Sequence, residues 1–348
     1  MARSRVTIRD VAAQAGVSHQ TVSRVINGSD AVRPATRLRV EAAIDALGYH
    51  PDAIARSMAR GRSGYLACFS PNLTDYTFAS IIHGAERQAR ENGYFLMSSS
   101  APDAATFADL IDELIGSGRA EGMMVINPYA DDRHLFLPND FPTVFAGARP
   151  RAKATNSVAL DDVAVAEAAT NHLIHLGHRH IGMVTGPPAE DCTQDRSLGF
   201  RLALQAAGLE PDTMPIVEGN WLAPSGYQAF DRFFDGHEGP TAVFAQNDQM
   251  AVGVLRAARD AGLVPPDELS VIGVDDIPLA AYFAPPLTTL RQDFALIGRE
   301  AARLLIRVVE EPQAPREHLL LPAEMIVRRS TAAPVAAARL AASAMLRR

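Results

Sequence analysis

Between residues 63 and 330, short β-rich apolar runs alternate with amphipathic helical stretches along almost the whole length. The runs are Tyr65–Phe69, Tyr94–Met97, Gly122–Ile126, Thr143–Phe145, His180–Thr185, Ile216–Val217, Thr241–Ala245 and Ser270–Val274. Helical spacing falls near 78–92, 104–116, 162–176, 196–208, 225–235, 248–262 and 293–310. Such alternation predicts parallel strands joined by crossover helices, with both sheet faces covered. Gly93, Gly177, Gly208 and Gly262 stand where four of these helices should stop. About 270 residues exceed what one doubly wound domain comfortably holds, so two lobes are expected. Open α/β lobes take ligands outside the carboxyl ends of their strands, and two facing lobes make a cleft there.

The first 62 residues differ in charge. They hold ten arginines against five acidic residues (net +5), while the remainder holds 23 basic against 35 acidic residues (net −12). A basic head on an acidic body predicts phosphate contact confined to one end, against the alternative of a merely solvated tail. No apolar run approaches the ~18 residues of a membrane-spanning helix. The charged start, Met1 to Asp10, lacks the apolar stretch of a secretory signal. Cys68 and Cys192 are isolated, without metal-ligand spacing, and read as buried small hydrophobes in a reducing compartment. A cytoplasmic protein without cofactor, metal or membrane is expected.

Within the head, Thr7 and Asp10 are placed as a capping box, followed by an apolar stripe of Ile8, Val11, Ala12 and Ala15. Gly16 breaks that helix. Ser18 caps a second one, His19 to Ile26, with Val22, Val25 and Ile26 facing inward. A third helix after Pro34 buries Val40, Ile44 and Leu47 and ends at Gly48. Two short helices joined by a tight glycine turn predict an all-α helix-turn-helix over residues 1–50, whose second helix enters the major groove.

The stretch from Val6 to Gly28, VTIRDVAAQAGVSHQTVSRVING, resembles the LacI–GalR family of transcription regulators. The resemblance continues through Thr36, Arg37, Val40, Ala42 and the run from Gly48 to Pro51. His19, Gln20 and Arg24 occupy positions from which side chains reach base edges; Gln suits adenine and Arg suits guanine. Ser18, Thr21, Ser23 and Asn27 are short donors suited to phosphates, and Thr7 joins them at the first helix. For each, a solvated helix face is the plain alternative. Residues 51–62 resemble the family's hinge helix, which pairs with its twin in the minor groove. Met58 stands at its wedge position. A flexible linker is the alternative there.

The resemblance implies a two-lobed core over 63–330 of the type I periplasmic-binding-protein kind, with the chain crossing between lobes near 160 and 293. Runs such as Asn247–Met250 and Pro286–Phe294 resemble the family's lactose-responsive branch. That likeness implies sugar contacts at Arg196, which should begin a helix, and at Trp221, Asn247, Asp275, Gln292 and Phe294. Trp would stack on a sugar ring while the polar groups meet hydroxyls. The first lobe departs from that branch: Gly147 replaces an Asp, Leu160 a Phe, and Thr77-Phe78 an Ala-Pro pair. Phe78 is kept as a ligand candidate. A galactoside-like effector is expected first, with other sugars behind it.

Plainer readings stand beside these. Trp221 suits packing, and paired Asp275-Asp276 suits acid–base work, yet no nucleophile, phosphate loop or G-x-S-x-G motif accompanies them. One Asp accepting sugar hydroxyls and the other capping the next loop is simpler. His172, His175, His178 and His180 straddle Gly177, which spoils convergence on one ion. The Ala-rich tail, 331–348, cannot supply the three or four heptads of a tetramerising coiled coil. A homodimer reading a near-palindromic operator in double-stranded DNA is expected, because two recognition helices must meet two half-sites. Sugar closing the cleft would separate the hinges and lower operator affinity. A transport protein or sugar-processing enzyme sharing the core is the rival, and a co-repressor would invert the sign.

Overall fold

The computed structural model describes residues 6–26, 28–29, 31–49, 62–150, 155–234 and 239–334. They fall into two compact units, one up to Gly64 and one from Tyr65 onward. The expected roles of Asn27 and Met58, nearly all of the hinge segment 51–62 and the tail from 335 lie outside the described residues.

In the first unit, helices α1 (Ile8–Ala15), α2 (His19–Ile26) and α3 (Pro34–Leu47) enclose a small core. Val11, Ala12 and Ala15 meet Val22, Val25, Val40 and Ala43 there, and Ile8, Val17, Ile26, Ile44 and Leu47 pack at its edge. The start of α1 is tied by Asp10, whose carboxylate accepts from the Thr7 N–H (2.8 Å) and hydroxyl (2.7 Å). Those bonds, the backbone one first, lower the Asp10 pKa. Gly16 stops α1 in the left-handed conformation (φ 65°), letting the Val17 N–H reach back to the Ala12 carbonyl at 3.1 Å. Ser18 starts α2 by accepting from the Thr21 N–H at 3.2 Å.

In the second unit, the described residues form two six-stranded sheets. The first has the order β11-β5-β4-β3-β1-β2, made from β1 (Tyr65–Ser70), β2 (Phe95–Ser100), β3 (Gly122–Ile126), β4 (Thr143–Ala146), β5 (Asn156–Leu160) and β11 (His318–Leu321). All of its pairings are parallel. Helices α4 (Tyr76–Glu91) and α10 (Phe294–Glu310) cover one face, and α5 (Ala104–Ser117) the other. Gly298 permits the close crossing of α10 on α4, since a Cβ there would lie 1.8 Å from the Ile81 carbonyl oxygen.

The second sheet repeats the pattern as β12-β10-β9-β8-β6-β7. Its strands are β6 (Ile181–Thr185), β7 (Ile216–Glu218), β8 (Ala242–Ala245), β9 (Ser270–Asp275), β10 (Thr288–Arg291) and β12 (Glu324–Ile326). Only β12 runs antiparallel to its neighbour. Helices α6 (Asp162–His175) and α7 (Asp191–Ala206) pack on one face, α8 (Ala223–Phe233) and α9 (Asp248–Asp260) on the other. Strands β3, β6, β8 and β9 are buried at every residue, which is why they read as unbroken apolar runs.

The described chain passes between the lobes three times: after Leu160, between Arg291 and Phe294, and between Leu321 and Glu324. The third passage joins two edge strands of four and three residues, too short to leave a period in the sequence. Helix α7 starts five residues before the expected 196, so Arg196 lies inside it and does not begin it. Its polar first turns, Asp191 to Asp195, hide the helical stripe. Beyond β12 the chain is stitched back to lobe 2. His178 Nε2 meets the Ala332 carbonyl at 2.9 Å and Ser270 Oγ at 3.1 Å, while His172 Nε2 meets Thr331 Oγ1 at 2.9 Å. Burial lowers the pKa of both histidines. Among the described residues no helix is long and apolar enough to cross a membrane.

Candidate functional site

On the head, α2 offers His19, Gln20 and Arg24 as exposed side chains, whereas Thr21 and Ser23 are half-buried. Ser18 Oγ and Thr21 Oγ1 lie 3.0 Å apart, so these two hydroxyls already serve the helix start. Thr7 is exposed at the head of α1, bound to Asp10.

On the body, the carboxyl ends of both sheets face a cavity of about 320 Å³. Asn127 follows β3, Gly147 follows β4, Trp221 lies beyond β7, Asn247 beyond β8 and Gln292 just after β10, while Asp275 ends β9. This is where open α/β sheets place ligands, and its volume suits a small molecule. Phe78, Arg196, Trp221, Asn247, Asp275, Gln292 and Phe294 all line it, as do Thr77, Gly147 and Leu160.

Each polar group is held by a neighbour. Arg196 donates from Nε to Asp162 Oδ1 at 2.7 Å and from Nη1 to the Gln246 carbonyl. Both members of the ion pair are buried, Arg196 at 6% and Asp162 at 7% exposure. Burial raises the Asp162 pKa against the opposing pull of Arg196; for Arg196, burial is outweighed by Asp162 and the pKa goes up. The guanidinium carbon lies 5.9 Å from the centre of the Trp221 ring. Asn247 caps α9 through its Oδ1, accepting from the Met250 N–H at 2.9 Å, and donates to the Trp221 carbonyl at 2.9 Å. Gln292 donates to Asp275 Oδ1 at 2.9 Å. Burial, then nearby Asp248, pushes the Asp275 carboxyl well above the usual range. Asp276 takes no place in the cavity lining: Arg291 and Arg328 hold it at 2.7 and 2.6 Å.

Backbone strain concentrates here. The described non-glycine residues with positive φ are Asn127 (49°), Trp221 (71°), Asp275 (123°) and Asp276 (52°), and the first three line the cavity. Strain of this kind, of order 1–3 kcal/mol each, persists where the surroundings over-determine a functional geometry. Gly186 leaves the room into which the Trp221 ring lies; a Cβ there would sit 2.0 Å from the ring.

Several lining residues carry no signal in the sequence. Glu190 accepts from Trp221 Nε1 at 3.1 Å and from Asn127 Nδ2 at 2.9 Å, the latter reaching from the opposite lobe. A second bond across the cleft runs from Gln249 Nε2 to Asp75 Oδ2 at 3.3 Å. Asp162 and Asn220 join the polar lining without a motif to mark them. Cys192 lines the cavity half-buried, its thiol pKa raised by burial; Cys68 is buried and pushed up to about 12 by the same cause.

The same two units are found in known proteins. Residues 7–52 match the bacterial regulatory proteins of the lacI family, and residues 170–331 match a periplasmic binding protein-like domain. The HTH-type transcriptional repressor PurR of Photobacterium profundum is 32% identical over 327 residues, covering 93% of this chain and 98% of the relative. The chain belongs to the lacI family of bacterial regulatory proteins. Solved lacI-family structures agree with this. A lac repressor dimer bound to operator and the anti-inducer ONPF superposes with a TM-score of 0.85 at 29% identity, over 95% of this chain and all of that one. A complex of the transcriptional regulator CelR with cellobiose gives 0.72 at 31% identity, over 94% of this chain and all of that one. The lacI-family fold, a helical DNA-binding head and a two-sheet α/β core, is therefore the fold of this protein.

Proposed function

We propose that this lacI-family protein is a homodimeric transcription repressor that grips a near-palindromic operator through α2 and lets go when a sugar occupies the cleft. The observation that carries the sensor half is the convergence of Arg196, Asn247, Asp275 and Gln292 with one indole ring on a single cavity. Convergent donors and acceptors suit sugar hydroxyls, and an aromatic face suits the C–H face of a pyranose ring. The cellobiose complex of a relative supports a sugar effector, and the lac repressor likeness supports a galactoside as the first to try. His19, Gln20 and Arg24 are the base-reading residues in this account, acting in the cytoplasm and without any catalytic step.

Trp221 is the only tryptophan in the chain, which makes the test direct. Its emission is followed while mono- and disaccharides are titrated in, and operator retardation is measured with and without each responding sugar. A saturable emission change together with weakened operator binding is the expected result. Emission insensitive to every sugar overturns the effector assignment. Operator binding strengthened by sugar overturns its sign and makes the ligand a co-repressor. Loss of operator binding in a chain lacking residues 1–62, with sugar binding intact, is expected of a regulator and not of a transporter or enzyme.

A further inference from the structure

Glu190 stands just ahead of α7 and is 7% exposed. Its two oxygens are engaged by uncharged N–H donors from opposite walls, Trp221 on its own lobe and Asn127 on the other. One carboxylate thus joins the aromatic platform to the far side of the cleft. The carboxyl groups lining the cavity are Asp75, Asp162, Glu190 and Asp275; among the described lining residues Arg196 is the one cationic side chain. The charge of that guanidinium is matched by the Asp162 carboxylate, to which its Nε donates at 2.7 Å. An anionic ligand would meet the Asp75 and Glu190 carboxylates, and among the described lining residues no cation lacks a carboxylate of its own. Like charges brought to short range are selected against.

We propose that Glu190 is a specificity-determining residue of the cavity: it aims the Trp221 ring across the cleft and turns away anions. The effector is then an uncharged or amine-bearing sugar, not a sugar phosphate or sugar acid. This rests on the reading of the cavity as the effector site and sharpens it.

The test uses the full chain without ligand, quenching Trp221 with neutral acrylamide and with anionic iodide. Glu190→Gln keeps the geometry, because its carbonyl accepts from Trp221 and its amide donates to Asn127 once that amide turns over. Only the charge is lost. In Glu190→Gln, iodide quenching relative to acrylamide should rise at least about twofold, with acrylamide quenching unchanged. Glu190→Ala should raise both, since the ring is then untethered; if that variant fails to fold, the glutamine variant decides alone. An iodide-to-acrylamide ratio equal in wild type and Glu190→Gln overturns the proposal. With sugars, an uncharged sugar should bind at least about tenfold more tightly than its 6-phosphate, and Glu190→Gln should narrow that gap. Tighter binding of the phosphate by wild type also overturns it. A wild type that responds to no sugar overturns the effector reading instead, while the quenching ratio still judges Glu190.

Discussion

The two lobes share one strand order, each with its last strand added from the far end of the described chain, but they meet the cavity with different chemistry. Lobe 2 presents Arg196, Asn247, Asp275, Glu190 and the Trp221 ring, with two of the three strained backbone positions of the lining. Lobe 1 presents mainly apolar wall, including Phe78, Ile126, Leu160 and Phe294, relieved by Asp75 and Asn127. A repeated fold therefore does not carry a repeated site. The sheet supplies a mouth in each lobe, and side chains at the strand ends decide which mouth selects and which one covers.

That contrast can be broken at its strongest point first. Arg196→Ala leaves the Asp162 carboxylate buried without its cation and the Gln246 carbonyl without its donor. It should cost about 3–5 kcal/mol in urea unfolding and abolish the sugar response. Next is Asp248, fully buried in lobe 2 between Thr289 Oγ1 (2.5 Å) and the Ile277 N–H (2.9 Å). Burial pushes its carboxyl from 3.8 up to about 7. The folded state holds this proton more tightly than the unfolded chain, so the group's stabilising contribution is complete below pH about 4 and is lost as pH rises through about 7. Asp248→Asn should remove that decline, on the order of 4 kcal/mol, seen as the difference between the two unfolding-versus-pH curves.

Two smaller effects set the lobes directly against each other. Trp221→Ala removes the platform and its contact with the Arg196 guanidinium. Sugar affinity measured by calorimetry should weaken about tenfold. Phe78→Ala trims the opposite wall and should weaken it only about threefold. Equal losses from the two changes would mean that both walls select, and the division of labour would fall.

How much of this was legible beforehand follows from burial. Strands such as β3 and β9 are apolar because both faces are covered, so a parallel sheet shows in the sequence. Strand β5 escaped notice because it opens on Asn156 and Ser157, which are buried as polar residues. Strands β11 and β12 escaped because their alternation is shallow and brief. At the site, the seven ligand candidates came from a family resemblance, and they line one cavity. Glu190, Asp162 and Asn127 carried no local pattern. Their partners lie 31, 34 and 63 residues away, so only the fold brings them together. The one available hint was Gly186 after β6, a glycine whose missing side chain Trp221 fills.

The three passages between the lobes have a bearing on synthesis. β5 finds its outer neighbour in β11, with Ser157 opposite His318, and β10 finds its own in β12, with Leu290 opposite Met325. Lobe 1 also waits for α10 to cover the face shared with α4. A ribosome that has finished β5 has therefore made the centre of the first sheet but neither its last edge nor one of its covering helices. Both lobes stay open until residues 318–326 emerge, and they close almost together. Contacts of such long sequence separation fold slowly. Between the completion of β5 and the emergence of α10 the nascent chain carries part of an apolar sheet face uncovered, the kind of surface for which chaperones exist.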